Sequence, residues 1–251
     1  MNKNVKAIAA DAEKLGICRG DTVLVHSSLK SMGVPGLTPR EVIEGLLEAI
    51  GDGTIVFPTL SYEYCNPGQR VFDVRTTPSN VGAIPEYFRT SFEGAIRSLC
   101  PTHSCAAYGR DAEYITCDQH LDTTPCGEHS PFRKLRNLNG KVLFLGCGCN
   151  CNTSMHAVEE LVEPDYLYGD SYEYTLIDID GKEHKMNCAA HGFKGVAQCY
   201  YRLIPMLPGD AYREGKILNA DCTLVNAVPM WKIAEQKYRE DPHCFIDIVG
   251  E

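Results

Sequence analysis

The apolar positions of this chain switch between two periods. Over residues 4–15, Val5, Ile8, Ala9, Ala12 and Leu15 recur at the spacing of an amphipathic helix, and Gly16 follows as its stop. Thr22-Val23-Leu24-Val25 reads as a buried strand that runs into His26-Ser27-Ser28. Thr38-Pro39-Arg40-Glu41 opens a second helix, because Thr38 and Glu41 form a capping box and Pro39 falls at the first helical position. Val42, Ile43, Leu46, Leu47 and Ile50 make its apolar stripe, and Gly51 ends it. Thr54-Ile55-Val56-Phe57 is the next buried strand, releasing Pro58-Thr59-Leu60-Ser61 at its end. Helix, strand, helix, strand is the alternation of an α/β layer fold.

Residues 62–80 lack periodicity and contain Pro67, Gly68 and Pro78, which predicts a long functional loop. Val81 to Thr90 reads as a short helix, residues 97–107 as a polar stretch entering a strand, and residues 108–140 as a helical patch with a Pro/Gly-rich loop. Val142-Leu143-Phe144-Leu145 is a charge-free strand followed by a Gly146-Cys147-Gly148 turn, after which Asn152 or Thr153 is placed to cap a helix. Asp180-Gly181 between Tyr172–Ile179 and Glu183–Asn187 predicts a β-hairpin, and Met230, Ile233, Ala234 and Tyr238 mark a last helix over Pro229–Tyr238. No repeat, low-complexity tract or linker interrupts the chain, so a single domain over residues 1–251 is expected.

Composition narrows the partners. The 251 residues suffice for a sizeable core, and 44% hydrophobic with 23% charged residues is ordinary for a globular protein. A net charge of −9 argues against nucleic acid, which calls for a basic stripe. The N-terminus has no apolar secretory core and no run of about 18 apolar residues occurs, so a cytoplasmic protein without a membrane span is expected. The 13 cysteines are then expected as reduced thiols, most of them small core residues. Cys147, Cys149 and Cys151 alternate by two, tighter than the usual opening of a structural zinc site.

Polar residues gather at three predicted strand ends: His26/Ser27/Ser28, Thr59/Ser61/Glu63 and Thr153/His156/Glu159. Open α/β sheets bind ligands outside the carboxyl ends of their strands. His156 stands there, in the first turn of a helix, and its ordinary pKa of ~6.5 suits a general base. Glu159 and Glu160 follow at helical-neighbour spacing and can orient it, whereas Glu63 requires the fold to bring it near. Nucleophile-elbow, Walker and dinucleotide glycine motifs are absent.

An ordered set of segments adds to this. It comprises Val25-His26-Ser27-Ser28-Leu29, Phe57-Pro58-Thr59, Phe72-Asp73 with Thr77-Pro78-Ser79, and Gly82-Ala83-Ile84-Pro85-Glu86 with Phe88-Arg89. Arg97-Ser98, Pro101-Thr102-His103-Ser104, Ala106-Ala107, Ser130-Pro131, Leu143-Phe144-Leu145-Gly146 and Asn152-Thr153-Ser154-Met155-His156 with Glu159 complete it. The set resembles the aminoglycoside N(3)-acetyltransferase family.

That resemblance implies a three-layer αβα sandwich around a mixed central sheet. It implies acetyl transfer from acetyl-CoA, a co-substrate, to the 3-amino group of a 2-deoxystreptamine antibiotic, without a metal and by direct attack in a ternary complex. His156 then removes the amine proton, with Glu159 as its catalytic partner. The resemblance lays CoA along His26, Ser27, Ser28, Leu29, Lys30 and Ser31, with Ser98, Thr102, Ser104 and Cys105 beside it. Glu63, Tyr64, Asp73 and Thr59 are the expected contacts of the small-molecule amine, in a monomer or homodimer. The chain departs from the pattern at Cys100, at Cys149-Asn150-Cys151, and at Asn187-Cys188-Ala189-Ala190-His191, where an acidic residue is expected behind the base. Three alternatives stand beside this expectation. They are another amine as acceptor, a Cys188 or Cys149 acyl-enzyme, and a non-enzymatic cysteine-rich protein that binds CoA or metal.

Overall fold

The computed structural model describes residues 2–250. α1 (Lys3–Leu15), β1 (Thr22–Ser27), α2 (Pro39–Ile50) and β2 (Thr54–Pro58) follow the hydrophobic pattern closely. α2 carries the full capping box, with Thr38 and Glu41 each accepting from the other's backbone N–H. Next come β3 (Val71–Asp73), α3 (Ala83–Ser91), β4 (Ile96–Arg97), β5 (Cys105–Gly109), α4 (Ala112–Thr116) and α5 (Pro131–Asn137). β6 (Lys141–Leu145), α6 (Ser154–Val162), β7 (Tyr168–Ile177), β8 (Glu183–His191) and β9 (Val196–Gln198) lead into β10 (Tyr212–Ile217). β11 (Ala220–Asn226), α7 (Ala227–Glu240) and β12 (Ile246–Ile248) end the fold.

The main sheet has the order β10-β11-β6-β1-β2-β5-β4. Its centre, β6-β1-β2, is parallel and both flanks are antiparallel, so the sheet is mixed. Side chains alternate faces along a strand. Val23, Val25, Ile55, Phe57, Leu143 and Leu145 pack with α1, α2 and α3, whereas Leu24, Val56, Val142 and Phe144 pack with α4 to α7. Helices therefore cover both faces of the sheet, giving three layers. Each fully buried aliphatic here contributes about 1.5–3 kcal/mol of apolar burial.

A smaller sheet, β3-β7-β8, encloses its own core of Phe72, Leu99, Tyr174, Leu176 and Met186. Its hairpin turn forms at the predicted Asp-Gly, with Asp178 accepting from the backbone of Asp180 and Lys182. The hairpin is longer than its sequence signal, because β8 continues through Cys188-Ala189-Ala190 to His191. The segment expected as a loop over residues 62–80 contributes β3. The β10–β11 hairpin has no sequence signal, since Arg213 to Lys216 are exposed and carry no apolar period. No helix among the described residues is long and apolar enough to cross a membrane.

Candidate active site

The parallel strands β1 and β6 end side by side, with Ser27 opposite Leu145 in register. β6 turns out of the sheet at Gly146, φ +71°, where an added Cβ would lie 2.6 Å from the Ser31 side chain. The chain then enters α6. Thr153 is already helical and makes no capping bond, so of the two predicted caps it is Asn152 that serves, its side-chain oxygen accepting from the Ser154 N–H at 3.2 Å.

Three connected hollows run past these strand ends. An open groove of about 670 Å³ is lined by Ser27, Ser28, Leu29, Lys30, Val34 and Pro35. It shares Ser27 with a narrow passage of about 260 Å³, lined by His26, Pro58, Leu60, Val81, Cys147, Cys151 and Thr153. The passage shares Leu60, Val81, Cys151 and Thr153 with a cleft of about 570 Å³ that holds His156. His26 Nε2, Ser27 Oγ and Thr153 Oγ1 are buried on the passage wall without a hydrogen-bond partner among the described residues. Such groups cost free energy unless a ligand or water satisfies them. Burial, and then the charge of His156, hold the His26 imidazole down to about 3, so it is neutral at neutral pH.

His156 Nδ1 lies 3.0 Å from Glu159 Oε2. Glu159 is completely buried. Its Oε2 also accepts from the Tyr200 hydroxyl at 2.9 Å, and its Oε1 accepts from Tyr166 at 3.0 Å and Tyr238 at 2.9 Å. Burial alone would raise this carboxyl, but the His156 hydrogen bond and charge, with Tyr238 and Tyr200, hold it below the usual range. A carboxylate facing Nδ1 assigns the proton to that nitrogen and leaves the Nε2 lone pair for chemistry. The three tyrosines are pushed up, by burial first and then by the Glu159 charge, and remain donors.

A second pair stands beside the first. His191 Nε2 is 2.8 Å from Glu160 Oε1, which also accepts from the Cys126 N–H at 2.9 Å, while Oε2 accepts from Thr124 at 2.6 Å. The His156 and His191 ring centroids are 5.2 Å apart, with Phe193 against both and His103 completing the cluster. His191 and His103 are held below the ordinary histidine value, chiefly by burial.

Not every expected site residue reaches these hollows. Ser27 to Lys30 line the groove, His26 the passage and Thr102 the cleft, whereas Ser31 bonds Ser28 and faces a neighbouring hollow. Ser98, Ser104 and Cys105 are fully buried away from all three. Ser98 bonds Gln119, and Ser104 joins Thr59 around the buried Arg97 guanidinium, which also donates to the carbonyls of Thr59 and Thr77. Thr59 is thus a support for the β4–β5 hairpin. Glu63 and Tyr64 are exposed outside the cleft lining, and Asp73 is paired with Arg75. Tyr62, Tyr174 and Phe193 take the expected places of Glu63 and Asp73 in the wall. Sequence reasoning missed Tyr62, Tyr166, Tyr200, Tyr238 and Phe193, which carry no local motif. Glu160 and His191 stand in the sequence with nothing to join them to each other.

The cysteines do not converge on one point. Cys147 and Cys151 meet with 2.9 Å between sulfurs, and Cys149 turns toward Thr223. Burial raises the Cys188 and Cys149 thiols, which removes the thiolate a nucleophile needs.

Comparison with known proteins identifies the family. Residues 24–239 match the model of the aminoglycoside 3-N-acetyltransferase family. The prophage-derived aminoglycoside N(3')-acetyltransferase-like protein YokD of Bacillus subtilis is 32% identical over 92% of this chain and 90% of its own. Aminoglycoside N(3)-acetyltransferase III of Salmonella is 30% identical over 78% of this chain and 73% of its own. Among solved structures, AAC-IIIb in binary complex with CoASH superposes with a TM-score of 0.81 at 25% identity, covering 94% of this chain and 96% of that one. An AAC(3)-IVa mutant in complex with a gentamicin gives 0.78 at 28% identity, covering 96% and 90%. This chain belongs to the aminoglycoside 3-N-acetyltransferase family and is an acetyltransferase.

Proposed function

We propose that the protein transfers the acetyl group of acetyl-CoA to a primary amine, by direct attack in a ternary complex with His156 as general base. The relatives point to the 3-amino group of a 2-deoxystreptamine aminoglycoside as the acceptor, and with it to antibiotic resistance. The observation that supports the reading is the sealed Glu159, which faces His156 Nδ1 and leaves Nε2 as the basic nitrogen. The pantetheine arm lies in the groove of Ser27 to Lys30 and passes His26, Ser27 and Thr153, whose unpaired polar atoms suit its amides and the thioester oxygen. The amine enters the cleft from the Tyr62 and Phe193 side and attacks the thioester carbon. His156 takes its proton and the CoA thiolate departs. With the Cys188 and Cys149 thiols raised by burial, neither is suited to form an acyl-enzyme.

Acetyl-CoA with a panel of deoxystreptamine antibiotics, followed by thiol release, tests the activity. His156→Ala should lower kcat by at least ~10²-fold while the protein still folds. Turnover near wild type in that variant would remove His156 from its role. One observation favours a second acceptor class: among the described residues no aspartate or glutamate lines the cleft, although a polycation would gain from one. Robust turnover of a monoamine with an aromatic or apolar body, with none of the aminoglycosides, would establish it.

A further inference from the structure

We propose that His191, held by Glu160, is a second base, which removes the first of the two protons an ammonium acceptor must lose before it becomes an amide. This rests on the acetyltransferase reading above and adds a step to it.

The proton count comes first. An amine enters water at neutral pH as R–NH3+, which has no lone pair to attack a carbonyl. Turning R–NH3+ and acetyl-S-CoA into R–NH–acetyl and CoA-SH removes two protons from nitrogen. One returns to the departing sulfur and the other leaves for solvent. His156 can take the proton lost as the C–N bond forms and deliver it as the C–S bond breaks. The earlier proton, which frees the lone pair, needs another acceptor or must be shed before binding.

The fold supplies one. His191 sits at the end of β8, its side chain 4% exposed, and its ring lines the same cleft as His156. The two rings are 5.2 Å apart between centroids. Glu160 fixes Nε2–H, so the lone pair of the neutral ring is on Nδ1, a buried atom with no hydrogen-bond partner among the described residues. The pair repeats the construction of His156 with Glu159. The titratable groups that face His191 are Glu160, Glu159 and His156 from α6, His103 before β5, Cys126 before α5, and Tyr168 of β7. Burial keeps the resting ring neutral and so able to accept, while the Glu160 carboxylate stabilises the imidazolium once it forms. In the step itself, R–NH3+ gives a proton to Nδ1 and becomes R–NH2. After acetyl transfer, His191 returns its proton to solvent.

The test is the pH profile of kcat/KM for wild type, His191→Gln and Glu160→Gln with one acceptor of measured ammonium pKa. Melting temperature and CoA affinity confirm that each variant is folded. His191→Gln should turn over at least ~10-fold more slowly at pH 7. The deficit should close as the pH rises past the acceptor's own pKa, because the substrate then arrives as the free amine. Glu160→Gln should show the same pH-dependent deficit at smaller size. An equal loss at every pH, or no loss at any pH, in a folded variant overturns the second base. A wild-type enzyme that acetylates no amine at any pH overturns the acetyltransferase reading on which it rests.

Discussion

The two faces of the main sheet are built from the same strands and yet are different materials. Against α1, α2 and α3 the core is built on apolar and sulfur-containing side chains, with Ile8, Val42, Ile43 and Ala49 fully excluded from water. Against α4 to α7 an equally dry core also encloses Glu159, Ser154 and the Tyr200 and Tyr238 hydroxyls, and Trp231 donates to Ser154 at 2.9 Å. One face supplies stability. The other gives up part of its core to holding charges and dipoles in fixed places, the preorganisation that catalysis in a dry site requires.

The largest break in this contrast should come from Glu159→Ala. It leaves His156 without its orienting partner and takes from the Tyr166, Tyr200 and Tyr238 hydroxyls the carboxylate they share, so both stability and kcat should fall. The stability loss should be about 3–5 kcal/mol, the scale for breaking a buried charged network. Leu46→Ala on the opposite face should lose about 2–5 kcal/mol by opening a cavity and leave kcat of the folded fraction unchanged. Denaturant melts and turnover on the two variants check the pair. Equal kcat losses would show that the faces are not separate in function.

A pH titration sharpens the contrast further. His26, on the functional face, is held neutral with a folded value of about 3, below its unfolded value near 6.5. The sign follows from linkage: stability is fully present above about 6.5 and is lost progressively as the pH falls toward about 3, since only the unfolded chain gains that proton. His26→Phe should flatten the melting-temperature slope in that window, whereas Leu46→Ala should shift the curve without altering its slope. The smallest effect belongs to Thr38→Ala, which removes the α2 cap and should cost about 1 kcal/mol with no change in turnover.

What could be read beforehand divides along the same line. α1, α2, β1 and β2 announce themselves because their signals are local: a 3.6-residue stripe, a capping box, a charge-free run of four. His156 and Glu159 are legible for the same reason, being three residues apart on one helix. The rest of the site is assembled from afar. Tyr200 and Tyr238 reach Glu159 across 41 and 79 residues of chain, and no spacing rule extends so far. Thr59 and Ser104 show the opposite case. They do stand at strand ends, but there Arg97 closes over them and converts an expected binding edge into a structural joint.

α6 carries a consequence of its own. Its two acids are consecutive residues, one serving His156 one turn along the same helix and the other serving His191 on a strand of the smaller sheet. Consecutive positions on an α-helix point about 100° apart. Rotating α6 about its axis carries His156 and Glu159 together and leaves their bond intact, but it swings Glu160 away from His191 on the neighbouring strand. The Glu160–His191 bond thus ties the angle of the helix that bears His156 to the smaller sheet.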